Sequence, residues 1–300
     1  AEDNFRKSLK VSEEVFGDTT LLFAKNLSYM VKLYVELGNY KAALVNATDV
    51  LKTRDKLLRP GHILFADTYN DLGNIHYNLG SDLNVVDKYY RLAMDITEKN
   101  FGQTHPLYAE ALKNVAFVHV QRKEYDEALT LLNQADDIWR DALSNLNKSS
   151  GEVARIKGDI YSYRGQFRDA RKEYEKAARY FKALFNDQHP DYLNTQSRLA
   201  RAYWINGEVS KVESLLSETT DSYLNYTKEF FPTLSEEEKA KFWNKIKGDF
   251  EFYNTVAVAY SQEKEKYLEN MYDFALATKG LLLSSSIKTR NSILNSGDQE

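Results

Sequence analysis

The chain repeats itself about every 42 residues, and this period limits the possible folds more than any other feature. Four similar segments each carry a glycine at the same place, and successive glycines are 42, 85 and 42 residues apart. The step of 85 corresponds to two periods with one inserted residue. A further copy therefore lies between them, at 119–135, where Lys123 takes the glycine's place. The four glycines are Gly38, Gly80, Gly165 and Gly207. A fixed period of this length is typical of stacked repeat architectures.

Each period contains two stretches with helical apolar spacing around a short turn. Small residues recur at one position of the first stretch: Gly73, Ala116, Gly158 and Ala200. They recur at one position of the second stretch as well: Ala43, Ala128 and Ala170. We expect the helices to approach closely at these points, with aromatic side chains filling the space beside them. The pattern predicts an all-α protein, a stack of antiparallel helix pairs that bury their apolar faces against one another.

A second marker has the same period. The segment EKNFGQTHP (98–106) aligns with KALFNDQHP (182–190), and EEVFGDTT (13–20) aligns with both. Proline suits the first turn of a helix, because its missing N–H would be unpaired there anyway. The histidine–proline pairs therefore predict helix starts at Pro106 and Pro190. The segment 145–154 lacks both parts of the marker, so we expect a longer loop there.

These residues carry a family resemblance. The pattern L-G…Y…G-x-Y/F…A…Y/F…A resembles the tetratricopeptide repeat, and the 42-residue period with F-G…H-P is similar to the long variant of kinesin light chains. The resemblance implies a right-handed superhelical α-solenoid. It divides the chain into the trailing helix of a truncated repeat at 1–19 and five helix pairs at 20–227. It also implies that the first helix of each pair lines a concave groove.

After Tyr226 the repeat pattern stops. Ser235 and Glu238 form a capping box, which predicts a long amphipathic helix after it. Two further helices are expected at 264–284 and 286–294. Residues 228–297 resemble the junction in bacterial proteins where tetratricopeptide repeats precede a CHAT domain, a caspase-like module with a His–Cys pair. This implies that 228–300 is a non-repeat helical linker leading toward a downstream domain.

Composition excludes several kinds of chemistry. With 40 basic and 44 acidic residues the formal net charge is −4, which argues against a general nucleic-acid partner. Cysteine is absent, so this chain cannot hold the nucleophile of a CHAT domain. No phosphate-binding loop, zinc-protease or serine-hydrolase motif is found, and the five histidines lack metal-ligand spacing. We therefore expect no catalytic, cofactor or metal site, and no apolar run is long enough for a membrane span.

The concave face gives the candidate binding residues. Counting from the small residue of each first helix, the exposed positions predict a partner-binding surface of Lys32, Asn70, Asn74, Lys113, Phe117, Arg155, Asp159, Arg201 and Trp204. Asn70 and Asn74 lie one turn apart and could hydrogen-bond the backbone of an extended peptide. The basic members favour an acidic or carboxylate-bearing ligand. The alternative is that these are ordinary solvated residues of amphipathic helices.

The leading functional hypothesis is a protein- or peptide-binding scaffold. The C-terminal resemblance implies that this scaffold is the sensor or regulatory arm of a CHAT protease whose catalytic domain lies outside this chain. The alternative is a free-standing peptide-sensing regulator, and a catalytic role within these residues is disfavoured by the missing motifs. The sequence leaves the compartment open between a cytoplasmic and an exported bacterial protein.

Overall fold

The computed structural model describes residues 2–231, 234–260, 266, 268–276 and 279, and every regular element among them is helical. The prediction of a helix at 286–294 and parts of the one at 264–284 lie outside the described residues, while 268–276 is helical. The helices are, in chain order, α1 (Glu2–Phe16), α2 (Leu21–Glu36), α3 (Tyr40–Leu57), α4 (Leu64–Asn78), α5 (Leu83–Phe101), α6 (Pro106–Gln121), α7 (Tyr125–Ala142), α8 (Lys148–Tyr163), α9 (Phe167–Leu184), α10 (Pro190–Ile205), α11 (Val209–Phe230) and α12 (Glu236–Tyr260).

The chain divides into two compact units, Ala1–Ile160 and Tyr161–Glu300. Within the first unit, α2 packs on α3, α4 on α5 and α6 on α7, and each pair contacts the next through its neighbouring helices. Within the second unit, α9 packs on α10, α10 on α11 and α11 on α12. Consecutive packed helices joined by turns of a few residues are antiparallel. The predicted α-solenoid of helix pairs is confirmed.

The turn inside each pair explains the repeated glycine. After α2, the N–H of Gly38 donates to Val35 O (3.0 Å) and the N–H of Asn39 donates to Tyr34 O (2.8 Å), which closes the helix in a Schellman motif. The motif needs a positive φ, and the four turn glycines have φ between 71° and 77°. Lys123 has φ 63° at the same place. The sequence alignment that put a lysine in a glycine position is confirmed.

The histidine–proline marker is a helix cap. The Nδ1 atom of His105 accepts a hydrogen bond from the N–H of Leu107 (3.1 Å), and that of His189 accepts one from Asp191 (3.2 Å). Each ring also stacks on the preceding marker phenylalanine, with centroids 4.4 Å apart for Phe101–His105 and 4.1 Å for Phe185–His189. The marker thus ends one helix and starts the next, and the predicted starts of α6 and α10 are confirmed.

Small residues allow close helix packing where the sequence predicted it. Ala116 and Ala200 have no exposed surface, and neither do Ala43, Ala128 and Ala170. Large side chains surround them; around Ala116 and Ala128 the core contains Tyr108, Leu112, Leu132 and Trp139. Trp139 is part of this core and is 2% exposed.

The expectation of a longer loop at 145–154 is wrong. Helix α7 ends at Ala142 and α8 begins at Lys148, so the connection has five residues, as does the one between α9 and α10. Asn147 caps α8 in place of the histidine: its Oδ1 accepts from the N–H of Ser150 (2.8 Å), and its Nδ2 donates to Ser144 O (2.7 Å). An Asx cap needs neither phenylalanine nor proline.

The segment after the repeats begins as predicted. The N–H of Ser235 donates to Glu238 Oε2 (2.8 Å) and the N–H of Glu238 donates to Ser235 Oγ (3.3 Å), which is the reciprocal pattern of a capping box. The 25-residue helix α12 follows. Phe242 anchors it to α11, stacking on Tyr226 with centroids 4.9 Å apart.

Candidate peptide-binding site

A cleft of about 510 Å³ opens between the first helices of two successive pairs, α4 and α6. Four of the predicted partner-binding residues line it: Asn70, Asn74, Lys113 and Phe117. Tyr90 of α5 and Ile156 of α8 complete its walls. The helical register places these residues together, because side chains three and four positions apart share one helix face.

Asparagine side chains run along the α4 side of the cleft. The Nδ2 group of Asn78 donates to both the backbone oxygen and the Oδ1 of Asn74 (2.8 Å each). The Nδ2 group of Asn114 donates to Asn70 Oδ1 (3.1 Å). These bonds hold the Oδ1 atoms of Asn70 and Asn74. Within the described residues no bond engages their own Nδ2 groups, which are therefore available to a ligand.

Aromatic rings also line the cleft. Tyr77 and Phe117 meet edge to face with centroids 4.6 Å apart, and the Tyr77 hydroxyl donates to Gln121 Oε1 (3.1 Å). Tyr90 lies deeper, 6% exposed, and its burial raises the pKa of its phenol to about 12. Of these three aromatic residues, only Phe117 was among the predicted partner-binding residues.

Lys113 is compensated within the fold. Its Nζ lies 2.9 Å from Glu110 Oε1 and 2.9 Å from Glu152 Oε2, and 5.7 Å from the centre of the Trp139 ring. Although burial opposes it, these two carboxylates raise the pKa of Lys113. Its charge is therefore balanced before any ligand arrives, and it adds little positive charge to the predicted partner-binding surface.

Asp71 also lines the cleft, and sequence reasoning missed it. The side chain is partly buried, and within the described part of the chain it makes no hydrogen bond or ion pair. Burial raises the pKa of its carboxyl to about 6; Lys32 and Arg54 oppose the shift, and Asp67 adds to it. A carboxyl with a perturbed pKa in a cleft is a signature of a functional site, which a sequence pattern does not reveal.

The remaining unit 1 candidates lie outside the cleft lining. Lys32 is exposed on α2, and Arg155 and Asp159 are partly buried on α8. The Nε atom of Arg155 is buried without a hydrogen-bond partner. None of these three residues lines the cleft together with the asparagines.

The two candidates of the second unit contact α12. Arg201 Nη1 lies 2.9 Å from Asp249 Oδ1, and its Nη2 donates to Gly248 O (2.8 Å). Trp204 meets Phe252 and Tyr260 edge on, with centroids 6.2 and 5.4 Å apart. Both side chains are engaged within the unit. These contacts could not be predicted from the sequence, because α12 lacks the repeat pattern that would have shown what faces α10.

Other kinds of site are not found in the described residues. No group of three or more histidines and carboxylates there is placed to hold a metal ion. Among the helices that the structure describes, none combines the length and the apolar character that crossing a bilayer requires.

Comparison with known proteins decides the family. The tetratricopeptide repeat model matches residues 64–141 and 151–225, just over half of the chain. The chain belongs to the tetratricopeptide repeat family. Such repeats form a scaffold for protein or peptide binding, and no catalytic family is indicated.

Relatives of known sequence match only in part. A clustered mitochondria protein homolog of Candida albicans is 27% identical over 191 residues, which are 60% of this chain and 13% of that protein. The protein KINESIN LIGHT CHAIN-RELATED 1 of Arabidopsis thaliana is 22% identical over 246 residues, 66% of this chain and 39% of that protein. The chain thus spans well under half of these relatives. The likeness to kinesin light chains is confirmed.

A solved structure of a Rap protein complexed with competence and sporulation factor has the same fold. It matches with a TM-score of 0.63 at 13% identity, covering 97% of this chain and 81% of the other. At this identity the match shows the fold alone. It covers residues on both sides of the point where the repeat pattern stops.

Proposed function

We propose that the cleft between α4 and α6 binds an extended peptide segment of a protein partner. The observation that carries the proposal is the pair of available side-chain amides on one face of α4, at Asn70 and Asn74. They are positioned as donors to the backbone carbonyl groups of the peptide. The aromatic part of the cleft lining, formed by Tyr77 and Phe117, then receives one of its side chains.

The spacing of the two asparagines suits an extended backbone. Residues one helical turn apart have Cβ atoms about 5–6 Å apart. In an extended chain each residue rises about 3.3 Å, so carbonyl groups that point the same way recur about every 6.6 Å. Flexible amide side chains bridge the small difference. Recognition of the backbone gives affinity for many sequences, and the aromatic part of the lining gives selectivity.

Fewer basic residues are available to bind an acidic ligand than the sequence indicated. Lys113 is neutralised by Glu110 and Glu152, and Arg201 is paired with Asp249. Lys32 and Arg155 remain as candidates for contacting an acidic stretch of the partner outside the cleft. The cleft itself is not a basic surface.

The test is selection from a displayed library of random nonapeptides on the full chain. Selected peptides are expected to bind with a Kd of about 1 μM, equivalent to about −8 kcal/mol. The variant Asn70→Ala/Asn74→Ala removes both donors and should weaken binding by about 10- to 100-fold, because each lost hydrogen bond costs about 1 kcal/mol.

The matched control is Asn133→Ala, an exposed asparagine of α7. It should bind like the wild type, and circular dichroism should show that all variants are folded. Selected peptides that bind the double variant within twofold of the wild type would place the site elsewhere. Failure to select any peptide would refute peptide binding itself.

We also propose that this scaffold is the sensor arm of a CHAT caspase-like protease. The support is the resemblance of residues 228–297 to the junction before such domains. In the second unit, Asp249 ties α12 to α10, so a displacement of α10 would be passed to α12. Hydrogen exchange on the full-length parent protein tests this: protection in 234–260 should change when the selected peptide binds, and identical protection would refute the coupling.

The alternative is a free-standing peptide-sensing regulator. It is favoured by the Rap structure of similar fold, which is complexed with competence and sporulation factor. The reading frame beyond Glu300 distinguishes the two. A following domain with a histidine and a later cysteine supports the protease arm, and a stop codon supports the regulator.

A further inference from the structure

Asp71 presents to the peptide cleft a carboxylate that forms no ion pair or hydrogen bond with the described residues. It lies on α4 beside Asn70, it lines the cleft, and no residue that the structure describes pairs with it. Carboxylates taken out of water are ordinarily paired, because desolvation of an unpaired charge is costly. A carboxylate that faces an open cleft without a counter-ion is therefore suited to receive one from a ligand.

The charged groups around Asp71 come from four helices. Lys32 and Arg54 attract its carboxylate from a distance and oppose the rise of its pKa, but no cation forms an ion pair with it among the described residues. Arg54 of α3 donates to Leu64 O, Thr68 Oγ1 and Ser28 Oγ. Lys113 of α6 is held by Glu110 and Glu152. Lys32 of α2 is exposed and forms no ion pair with Asp71. Asp67, on the same helix, adds negative charge.

The rest of the cleft suits the remainder of a basic side chain. Tyr77 and Phe117 line it with aromatic rings, and Tyr90 adds a third. Guanidinium groups stack on aromatic faces and pair with carboxylates in a bidentate manner, which a compact ammonium cannot do equally well. The combination of an unpaired carboxylate and aromatic walls therefore matches arginine best, with lysine second.

We propose that the cleft takes a basic side chain of the bound peptide, with the Asp71 carboxylate as its counter-ion. The inference rests on the peptide-binding function proposed above and specifies its ligand. It assigns the cleft a ligand with a cationic group, whereas the basic residues predicted from the sequence to line the partner-binding surface favoured an acidic ligand. The raised pKa of Asp71 agrees with it, since burial outweighs the attraction of Lys32 and Arg54 and an arriving cation would supply a direct partner.

The experiment repeats the random-nonapeptide selection on the full-length wild type, Asp71→Asn and Asp137→Asn. Asp137 is an exposed carboxylate of α7 and serves as the control. Peptides selected on the wild type and on the control are expected to share an arginine or lysine at one position. Peptides selected on Asp71→Asn should show no basic residue there.

A selected arginine peptide is then compared with the same peptide carrying neutral citrulline. The wild type should bind the arginine form at least tenfold more tightly at pH 7.5, as expected for a charge-assisted hydrogen bond. Asp71→Asn should bind both forms alike. Lowering the pH to 5 should weaken the arginine form by about tenfold and leave the citrulline form unchanged.

The outcomes separate this inference from the proposed function. Selected peptides without a basic position, or equal affinity for arginine and citrulline, would overturn the role of Asp71 and leave peptide binding standing. Selection of acidic peptides that Asp71→Asn binds more tightly than the wild type would also overturn this role, because Asp71 would then repel the ligand. If no peptide is selected on any of the proteins, both proposals fail together.

Discussion

A Cβ atom on Gly73 would lie 2.5 Å from Cε1 and 2.7 Å from Cδ1 of Tyr90. The ring therefore occupies the space that a side chain at position 73 would need. Tyr90 is 6% exposed and lines the peptide cleft, and Asn74 follows Gly73 directly. The missing side chain of Gly73 thus allows α5 to approach α4 closely enough for Tyr90 to form the cleft wall beside the asparagines.

Gly73→Ala is accordingly expected to destabilise the protein by about 1–3 kcal/mol, the usual cost of overpacking a core. This is opposite to the effect of helix propensity, which favours alanine over glycine by about 1 kcal/mol at an open position. Urea denaturation measures the difference. In a Tyr90→Leu background the same substitution should cost much less, and an equal cost in both backgrounds would contradict the contact.

Lys123 supplies a prediction with the opposite sign. Its φ of 63° lies in the left-handed region, which costs a side-chain-bearing residue about 1–2 kcal/mol. Lys123→Gly should therefore stabilise the protein by about 0.5–1 kcal/mol after the entropy of glycine is subtracted. The reciprocal change Gly80→Lys, at the equivalent turn with φ 73°, should destabilise it by a similar amount. Thermal unfolding of both variants checks the pair, and a less stable Lys123→Gly would contradict the assignment.

Local sequence signals predicted most of the fold. The turn at Lys123 and the caps at His105 and His189 each depend on residues within one turn of the helix end, and a repeat shows them several times. The start of α8 was misjudged because its Asn147 cap occurs only once. A single asparagine before a helix carries less weight than a repeated marker.

Residues of the candidate site could be predicted only where the repeat determines both their position and their neighbours. Asn70, Asn74 and Phe117 follow from the register of the first helices. Asp71 does not, because its lack of a partner depends on where Arg54 and Lys113 direct their charges. The engagement of Arg201 by Asp249 also joins residues 48 apart in the sequence, and one of them lies in a helix without a repeat pattern.

The contact between Arg201 and Asp249 predicts how α12 is held. Asp249 is 7% exposed and accepts hydrogen bonds from Arg201 (2.9 Å) and from Ser197. Asp249→Asn removes the charge and leaves a guanidinium without its counter-ion. The expected cost is about 1–3 kcal/mol, below that of a fully buried pair, since the Arg201 side chain is 38% exposed.

Hydrogen exchange and urea denaturation together measure the destabilisation by Asp249→Asn. Protection of the α12 amides should fall in Asp249→Asn. Glu251→Gln, an exposed carboxylate two residues further along the same helix, should leave both stability and protection unchanged. An Asp249→Asn protein within about 0.5 kcal/mol of the wild type would show that α12 is held by its aromatic contacts instead.

Asp71 predicts a pH dependence of stability whose sign follows from its environment. Burial raises the pKa of its carboxyl from 3.8 to about 6, so the folded protein holds this proton more tightly than the unfolded chain. Between about pH 4 and pH 6 the unfolded chain has lost the proton and the folded protein retains it. The contribution of Asp71 to the free energy of unfolding therefore falls as the pH rises through this window, and it stays low above it.

Asp71→Asn should thus be more stable than the wild type at pH 7.5, because it removes a partly buried charge. The expected gain is only about 1–2 kcal/mol, since solvent that reaches the cleft screens part of the desolvation penalty. At pH 4 the two proteins should be equally stable. Urea denaturation at both values measures the difference, with Asp137→Asn as a control that should match the wild type throughout. A stabilised Asp71→Asn protein that has lost its preference for arginine peptides would mean that the carboxylate is kept for binding at the expense of stability. A destabilised one would mean that Asp71 supports the fold.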